Sequence, residues 1–197
     1  MMHNQHQDLV WFKECLANQE LVQRLKAIKL IITDIDGSLT DGNLAYTAEQ
    51  ENSRRFSTED GFAIIKAIKA NILIAFLSGK GHGSISVRAR ILGIPNDLCI
   101  GGQSDKLVVI QEIQKKYGIL DSEVLIFGDD HYDAVVKKQN PALMLAVPLN
   151  APFYYHNFAD IVVPRNGGDH AYRRLLDLIL YIQGKHFDQD LITQALP

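Results

Sequence analysis

The sequence predicts an α/β fold, an open parallel sheet with helices on both of its faces. Two observations carry that expectation. Short runs apolar on both faces stand at 30–32, 72–77, 98–100, 124–127 and 143–147, with a weaker sixth at 161–163, and helix-like segments lie between them. Strands apolar on both sides need cover on both sides, and crossover helices supply it. A chain of 197 residues, 47% apolar and 22% charged, is long enough to build one full core without disulfide or metal staples.

Ahead of the first run, Leu9, Val10, Phe12, Leu16, Leu21, Val22 and Leu25 recur at helical spacing among charges. Residues 10–28 therefore read as a helix or helix pair that follows a polar start and ends near Lys26. Between the strands, 61–70, 84–92, 104–117 and 132–138 read as helices. The third is the best defined, with Ser104 as N-cap, Leu107, Ile110, Ile113 and Tyr117 along one face, and Gly118 placed to end it. A last amphipathic helix fits 171–183, carrying Leu175, Leu176, Leu178, Ile179 and Ile182. One segment departs from the alternation: 42–57 reads as a projecting β-hairpin around the polar turn 48–52. Two strands are too few to fold alone, so the hairpin should cover the crevice, pair with another subunit, or both. The expected units are a helical extension over 1–27, a body over 28–184 and a tail over 185–197.

Composition narrows the partners. Twenty basic against 23 acidic side chains leave a net charge of −3, which provides no basic stripe for nucleic acid and no polybasic patch for a membrane surface. No apolar run approaches the roughly 20 residues that span a bilayer, and the N-terminus lacks the basic-then-apolar form of a signal peptide, so a cytoplasmic protein is expected. Cys15 and Cys99 lie far apart with no Cys or His at ligand spacing, and read as buried or incidental thiols.

The chemistry gathers at strand ends. The first strand runs into Asp34-Ile35-Asp36-Gly37, and in a Rossmann-like open sheet ligands sit beyond the carboxyl ends of the strands. Taken alone, the two aspartates could equally close Asx-type turns. Three further signals share that location. Ser78-Gly79-Lys80 offers a hydroxyl and backbone amides to a phosphate. Lys106 falls in the first turn of a helix, where the dipole disfavours a cation unless an anion lies ahead of it. Gly128-Asp129-Asp130-His131-Tyr132-Asp133 places more carboxylates at another strand end. A phosphoryl-transfer site needs all four. In that scheme Asp34, Asp36 and Asp129 hold Mg²⁺, and Asp34 attacks phosphorus. Asp36 protonates the departing alkoxide and then accepts a proton from water. Ser78 and neighbouring amides hold phosphate oxygens, Lys106 offsets the charge on them and on Asp34, and Asp130 and Asp133 orient Asp129 or its bound water. His82, His131 and His156 lack metal-like partners in the sequence and read as surface or structural residues.

The ordered set Asp34-x-Asp36-Gly37-x-Leu39-Thr40-Asp41-Gly42, Ser78-Gly79, Lys106 and Gly128-Asp129-Asp130-x-x-Asp133 resembles the haloacid dehalogenase superfamily of phosphohydrolases. Within it, 56–61, 102–106 and Gly167-Gly168 are similar to the 3-deoxy-D-manno-octulosonate 8-phosphate phosphatase subfamily, and the likeness covers about 28–184. The resemblance implies a capless fold, Mg²⁺ as cofactor, a sugar acid phosphate of lipopolysaccharide synthesis as substrate, and a homotetramer whose hairpins form a central barrel. It also implies a substrate side made of Ser57, Thr58, Asp60, Gly61, Gly79, Lys80 and Arg88. Four positions depart from the subfamily pattern: Glu59, Lys80 and Asp169 stand where arginine is usual, and Ile65 where a basic residue is usual. Two other readings compete. A phospho-accepting receiver-like domain also gathers aspartates, a hydroxyl and a lysine around Mg²⁺, but has no use for Asp36 as proton carrier. An assembly domain that kept the fold and lost turnover would accommodate Glu59 and Ile65.

Overall fold

The computed structural model describes residues 2–46, 52–81, 83–103 and 105–196. Its strands are β1 (Leu30–Thr33), β2 (Ala45–Tyr46), β3 (Asn52–Ser53), β4 (Leu73–Ser78), β5 (Cys99–Gly101), β6 (Val124–Phe127), β7 (Met144–Pro148) and β8 (Ile161–Val163). Six of them form one sheet in the order β5-β4-β1-β6-β7-β8, every pairing parallel. The central strands are wholly buried, as their two-sided apolar pattern requires. Several strands begin and end one residue later than the apolar runs, because pairing continues past them, Ser78 opposite Gly101 and Pro148 opposite Val163.

The helices are α1 (Met2–Ala17), α2 (Gln19–Ala27), α3 (Thr58–Lys69), α4 (Gly83–Leu92), α5 (Lys106–Tyr117), α6 (His131–Gln139), α7 (Phe153–His156), α8 (Ala171–Ile182) and α9 (Gln189–Ala195). The chain steps outward from β1 to β4 and β5, then returns to β6 on the other side of β1. With right-handed crossovers, that reversal puts α3 and α4 on one face and α5 and α6 on the other. The contacts agree: α8 packs on α3, α1 and α2 pack on α8, and α5 packs on α6. The reversal also opens a crevice between the ends of β1 and β6.

Four local readings need correction. The polar start is helical, since α1 begins at Met2, and Asp8 is drawn onto the body by Arg165 at 2.8 and 2.7 Å and by Arg174 at 2.9 Å. The helix expected from Gly61 starts at Thr58 because Ser57 caps it, accepting from the Asp60 amide. The cap of α5 is Asp105, which accepts from the Val108 amide, while Ser104 lies outside the described residues. The tail carries α9, held to α8 by Gln189 donating to the Tyr181 carbonyl. His186 Nδ1 accepts the Asp188 amide, so its Nε2 carries the proton and donates to Asp177 at 3.0 Å. Of the hairpin, β2 and β3 pair antiparallel with each other, and the turn residues 48–51 lie outside the described residues. Both cysteines are free, and burial pushes the Cys15 thiol up to about 12.

Asp60 joins α3 to α8 at an electrostatic cost. It is 2% exposed, and its Oδ1 accepts the Arg173 amide at 2.7 Å, while its Oδ2 and the Tyr172 hydroxyl are buried without a hydrogen-bond partner. Burial pushes the carboxyl up to about 6 against the opposing pull of the Arg173 amide. The folded chain thus binds this proton more tightly than the unfolded one, so its contribution to stability is greatest below about pH 4 and declines as pH rises through 6. Asp60→Asn should remove that decline. Urea denaturation from pH 4 to 7.5 should show the variant gaining about 2 kcal/mol relative to the parent across this window, and a constant difference between the two would contradict the assignment.

Candidate active site

Strand alternation builds the first part of the site. The Asp34 amide still donates to the Phe127 carbonyl at 2.8 Å, so the ladder runs one residue past β1. Ile35 is fully buried, whereas Asp34 and Asp36 border a crevice of about 560 Å³. Gly37, at φ +96°, then turns the chain so closely over Asp129 that a Cβ there would stand 2.1 Å from Asp129 Oδ2. The crevice is further lined by Ser78, Gly79, Lys80, Gln103, Lys106, Asp130, Tyr132, Asp133 and Asn150.

Lys106 is the centre of the cluster. Its side chain, 7% exposed, donates to Asp34 Oδ1 at 2.7 Å and to Asp133 Oδ1 at 2.8 Å. Burial opposes the ammonium charge, but Asp133 and Asp34 outweigh it and hold the group above its ordinary range. Burial likewise pushes Asp34 up to about 7, with Lys106 opposing and Asp133 adding to the rise. Asp129 is pushed up to about 6 by burial, opposed by a 2.8 Å hydrogen bond from Ser38, with Asp133 and Asp130 adding to the rise. Three crowded carboxylates thus face one ammonium. Asp34 Oδ2 and Asp129 Oδ2 have no hydrogen-bond partner among the described residues, which suits them to a hard cation that takes one or two carboxylates and completes its shell with water and phosphate. No cluster of three His, Cys, Asp or Glu ligands exists among the described residues. Ser78 Oγ accepts the Lys80 amide at 3.2 Å, which leaves its proton to donate to an anion.

Several expected roles move. Asp133 bonds Lys106 rather than Asp129, because α6 carries it beneath the β6 end. Asp130 caps α6 by accepting the His131 amide. Both oxygens of Asp36 receive Arg54, at 2.7 and 2.9 Å, so its carboxylate is taken before any metal is considered. On the substrate side only Gly79 and Lys80 line the crevice. Ser57, Asp60, Gly61 and Arg88 instead line a separate pocket, too tight to hold a water, with Phe56 and Leu92, and Thr58 is exposed at the start of α3. Gly61 makes that close packing possible: a Cβ there would meet the Arg88 guanidinium at 2.2 Å, and Arg88 donates to the Ser57 carbonyl at 2.8 Å. Ile65 packs against the core, and Glu59 and Asp169 flank His170 at 3.9 and 3.6 Å, so these three departures stand away from the crevice lining. His131 and His156 do not line the crevice, and His82 lies outside the described residues. Sequence reasoning missed Arg54, Ser38 and Asn150. The first two act across 18 and 91 residues of chain and left no local signal, whereas Asn150 follows a strand end and was in reach.

No family model matches the chain. It is 35% identical over 167 residues to the 3-deoxy-D-manno-octulosonate 8-phosphate phosphatase KdsC of Haemophilus influenzae, covering 83% of this chain and 88% of that one. A cobalt-bound deoxy-D-mannose-octulosonate 8-phosphate phosphatase from the same organism superposes with a TM-score of 0.78 at 34% identity, covering 87% of this chain and 99% of that one. The Moraxella catarrhalis phosphatase, solved with magnesium, phosphate and KDO, superposes with a TM-score of 0.80 at 29% identity, covering 91% and 99%.

Removing Lys106 alone would strand two buried carboxylates. Lys106→Met should therefore lower stability at pH 7 by roughly 3–5 kcal/mol, the usual cost of leaving a buried charge unpaired. Because Asp34 and Asp133 lie above the ordinary carboxylate range in the fold, the deficit should shrink as pH falls toward 4 and both take up protons. Thermal denaturation of parent and variant across that range tests this, and a deficit independent of pH would contradict it.

Proposed function

Because this chain belongs to the 3-deoxy-D-manno-octulosonate 8-phosphate phosphatase family of the haloacid dehalogenase superfamily, we propose that it hydrolyses that sugar acid phosphate, or a close relative, through a phosphorylated Asp34. The chain is a phosphoric monoester hydrolase. The observation that carries the mechanism is the Lys106–Asp34 contact at 2.7 Å with Asp129 at the facing strand end: one carboxylate oxygen is held, and the other is left toward the crevice.

One carboxylate oxygen of Asp34 attacks phosphorus, and the bond from phosphorus to the sugar oxygen breaks as the carboxylate–phosphorus bond forms. Asp36 gives its proton to the departing alkoxide. Water then attacks the acyl phosphate, Asp36 takes the proton back, and inorganic phosphate leaves with Asp34 restored. Ser78 donates its free hydroxyl proton to a phosphate oxygen, and Lys106 offsets charge on phosphate and nucleophile together. Asp34 and Asp129 would hold Mg²⁺, which when bound neutralises the charge that a phosphate brings to three crowded carboxylates. Lys80 and Gln103, exposed in the wall, are placed to meet the substrate's own carboxylate and hydroxyls.

We place the enzyme in lipopolysaccharide synthesis, in the cytoplasm, as a homotetramer. In support, no helix among the described residues is long and apolar enough to cross a membrane, and β2 is exposed and paired only with β3.

Purified protein with Mg²⁺ should release phosphate from 3-deoxy-D-manno-octulosonate 8-phosphate, and chelation should stop it. Asp34→Asn should cut turnover by at least about 10³-fold, since it removes the attacking group. Absence of release from this and every other eight- or nine-carbon sugar acid phosphate would overturn the proposal and favour an assembly role.

A further inference from the structure

The acid assigned to proton transfer is gripped by a residue from the hairpin arm. Arg54, one residue after β3, donates from Nε to Asp36 Oδ1 at 2.7 Å and from Nη2 to Asp36 Oδ2 at 2.9 Å. Its Nη1 donates to Ser84 Oγ, in the first turn of α4, at 3.2 Å. Its side chain is 2% exposed. The neighbouring Arg55 takes the opposite course, 91% exposed and paired with Asp41 at 3.2 Å. One of two consecutive arginines is therefore buried against the crevice and the other is on the surface.

Burying such a pair contributes little net stability, because desolvation of both charges offsets their attraction. Orientation is what the planar fork supplies: two near-parallel N–H bonds fix both oxygens of the carboxylate at once, which a lysine's point charge does not. Each Asp36 oxygen retains a second lone pair, so the carboxyl can carry and deliver a proton without leaving the fork. We infer that Arg54 is a positioning residue for proton transfer, holding Asp36 so that its acid proton meets the leaving oxygen of the sugar. This rests on the proton-carrier role given to Asp36 above.

The effect of a positioning residue depends on how much the leaving group needs the proton. A sugar alkoxide cannot depart without it, whereas p-nitrophenolate can. The measurement is kcat/KM, which reports steps up to the first irreversible one, for 3-deoxy-D-manno-octulosonate 8-phosphate and for p-nitrophenyl phosphate, in the parent, Arg54→Ala, Arg54→Lys and Asp36→Asn. Arg54→Ala and Asp36→Asn should each lose about 100-fold or more on the sugar ester, within the usual range for general acid catalysis, and less than about 5-fold on the aryl ester. Arg54→Lys should fall between parent and Arg54→Ala, and it carries the test alone if Arg54→Ala does not fold. Equal losses on both esters in the Arg54 variants, with Asp36→Asn still discriminating, would assign Arg54 to holding the arm or binding the substrate anion and overturn the inference while leaving Asp36 its role. If Asp36→Asn does not discriminate, the proton-carrier reading fails and the inference goes with it.

Discussion

A buried ammonium between two buried carboxylates is the constraint on which the rest of this structure depends. Lys106 is placed where a helix dipole repels it and burial penalises it, and it stays charged only because Asp34 and Asp133 lie within 2.8 Å. Without it both carboxylates would lie desolvated with no counter-charge. The requirement reaches back into the fold: β1 and β6 must pair in register so that Asp34 and Asp129 end at the same level, and α6 must begin directly after β6 for Asp133 to pass beneath Gly128. Ser38, fully buried, then fastens Asp129 from the turn after β1. The chain ends of β1, β5 and β6 are in effect cross-linked at the one point where the sheet reverses its order.

That concentration of charge separates the catalytic set from its surroundings. Ser57, Asp60, Gly61 and Arg88 are grouped, but around the α3–α4 contact, where Arg88 also lies over the Phe56 ring at 5.5 Å. Their polar atoms are largely spent on backbone partners, the Ser57 carbonyl and the Arg173 and Asp60 amides. The exposed wall of the crevice is instead made up of Gly79, Lys80, Gln103, Tyr132 and Asn150. A wall of exposed side chains such as Lys80 can change without disturbing the buried network, and Glu59, Ile65 and Asp169, the other departures from the subfamily pattern, stand outside both.

What was legible in the sequence follows from the range of each interaction. The six-stranded sheet was visible because two-sided burial writes itself as a continuous apolar run. The residues that meet at the crevice were legible because a parallel sheet delivers its strand ends to one edge, so residues following Ile32, Leu77 and Phe127 had to be neighbours. Capping was read less well. Gly61 resembled a helix start only because the Ser57 cap lies four residues earlier, and Asp105 performs the cap assigned to Ser104. Charge pairing was legible only in part: Lys106 was expected to offset Asp34 and does, but whether Asp133 turns to Asp129 or to Lys106 is decided by helix placement, and nothing in Ser53-Arg54-Arg55-Phe56 tells which arginine faces inward.

The hairpin shows why that last gap matters. With two residues in each strand, β2 exposed and, among the described residues, only each other as strand partners, β2 and β3 make too little sheet to be stable by themselves. The arm is tied to the body at its base, through Arg54 to Asp36 and Ser84 and through Phe56 packing on the core. Its strongest anchor is thus the very side chain assigned to proton transfer. Any force that shifts the arm must act on Asp36 through the guanidinium fork, and any rearrangement of Asp36 must be felt at the root of the arm. An insertion that reads in sequence as an appendage is, through the buried Arg54 side chain, joined to a carboxylate that lines the crevice.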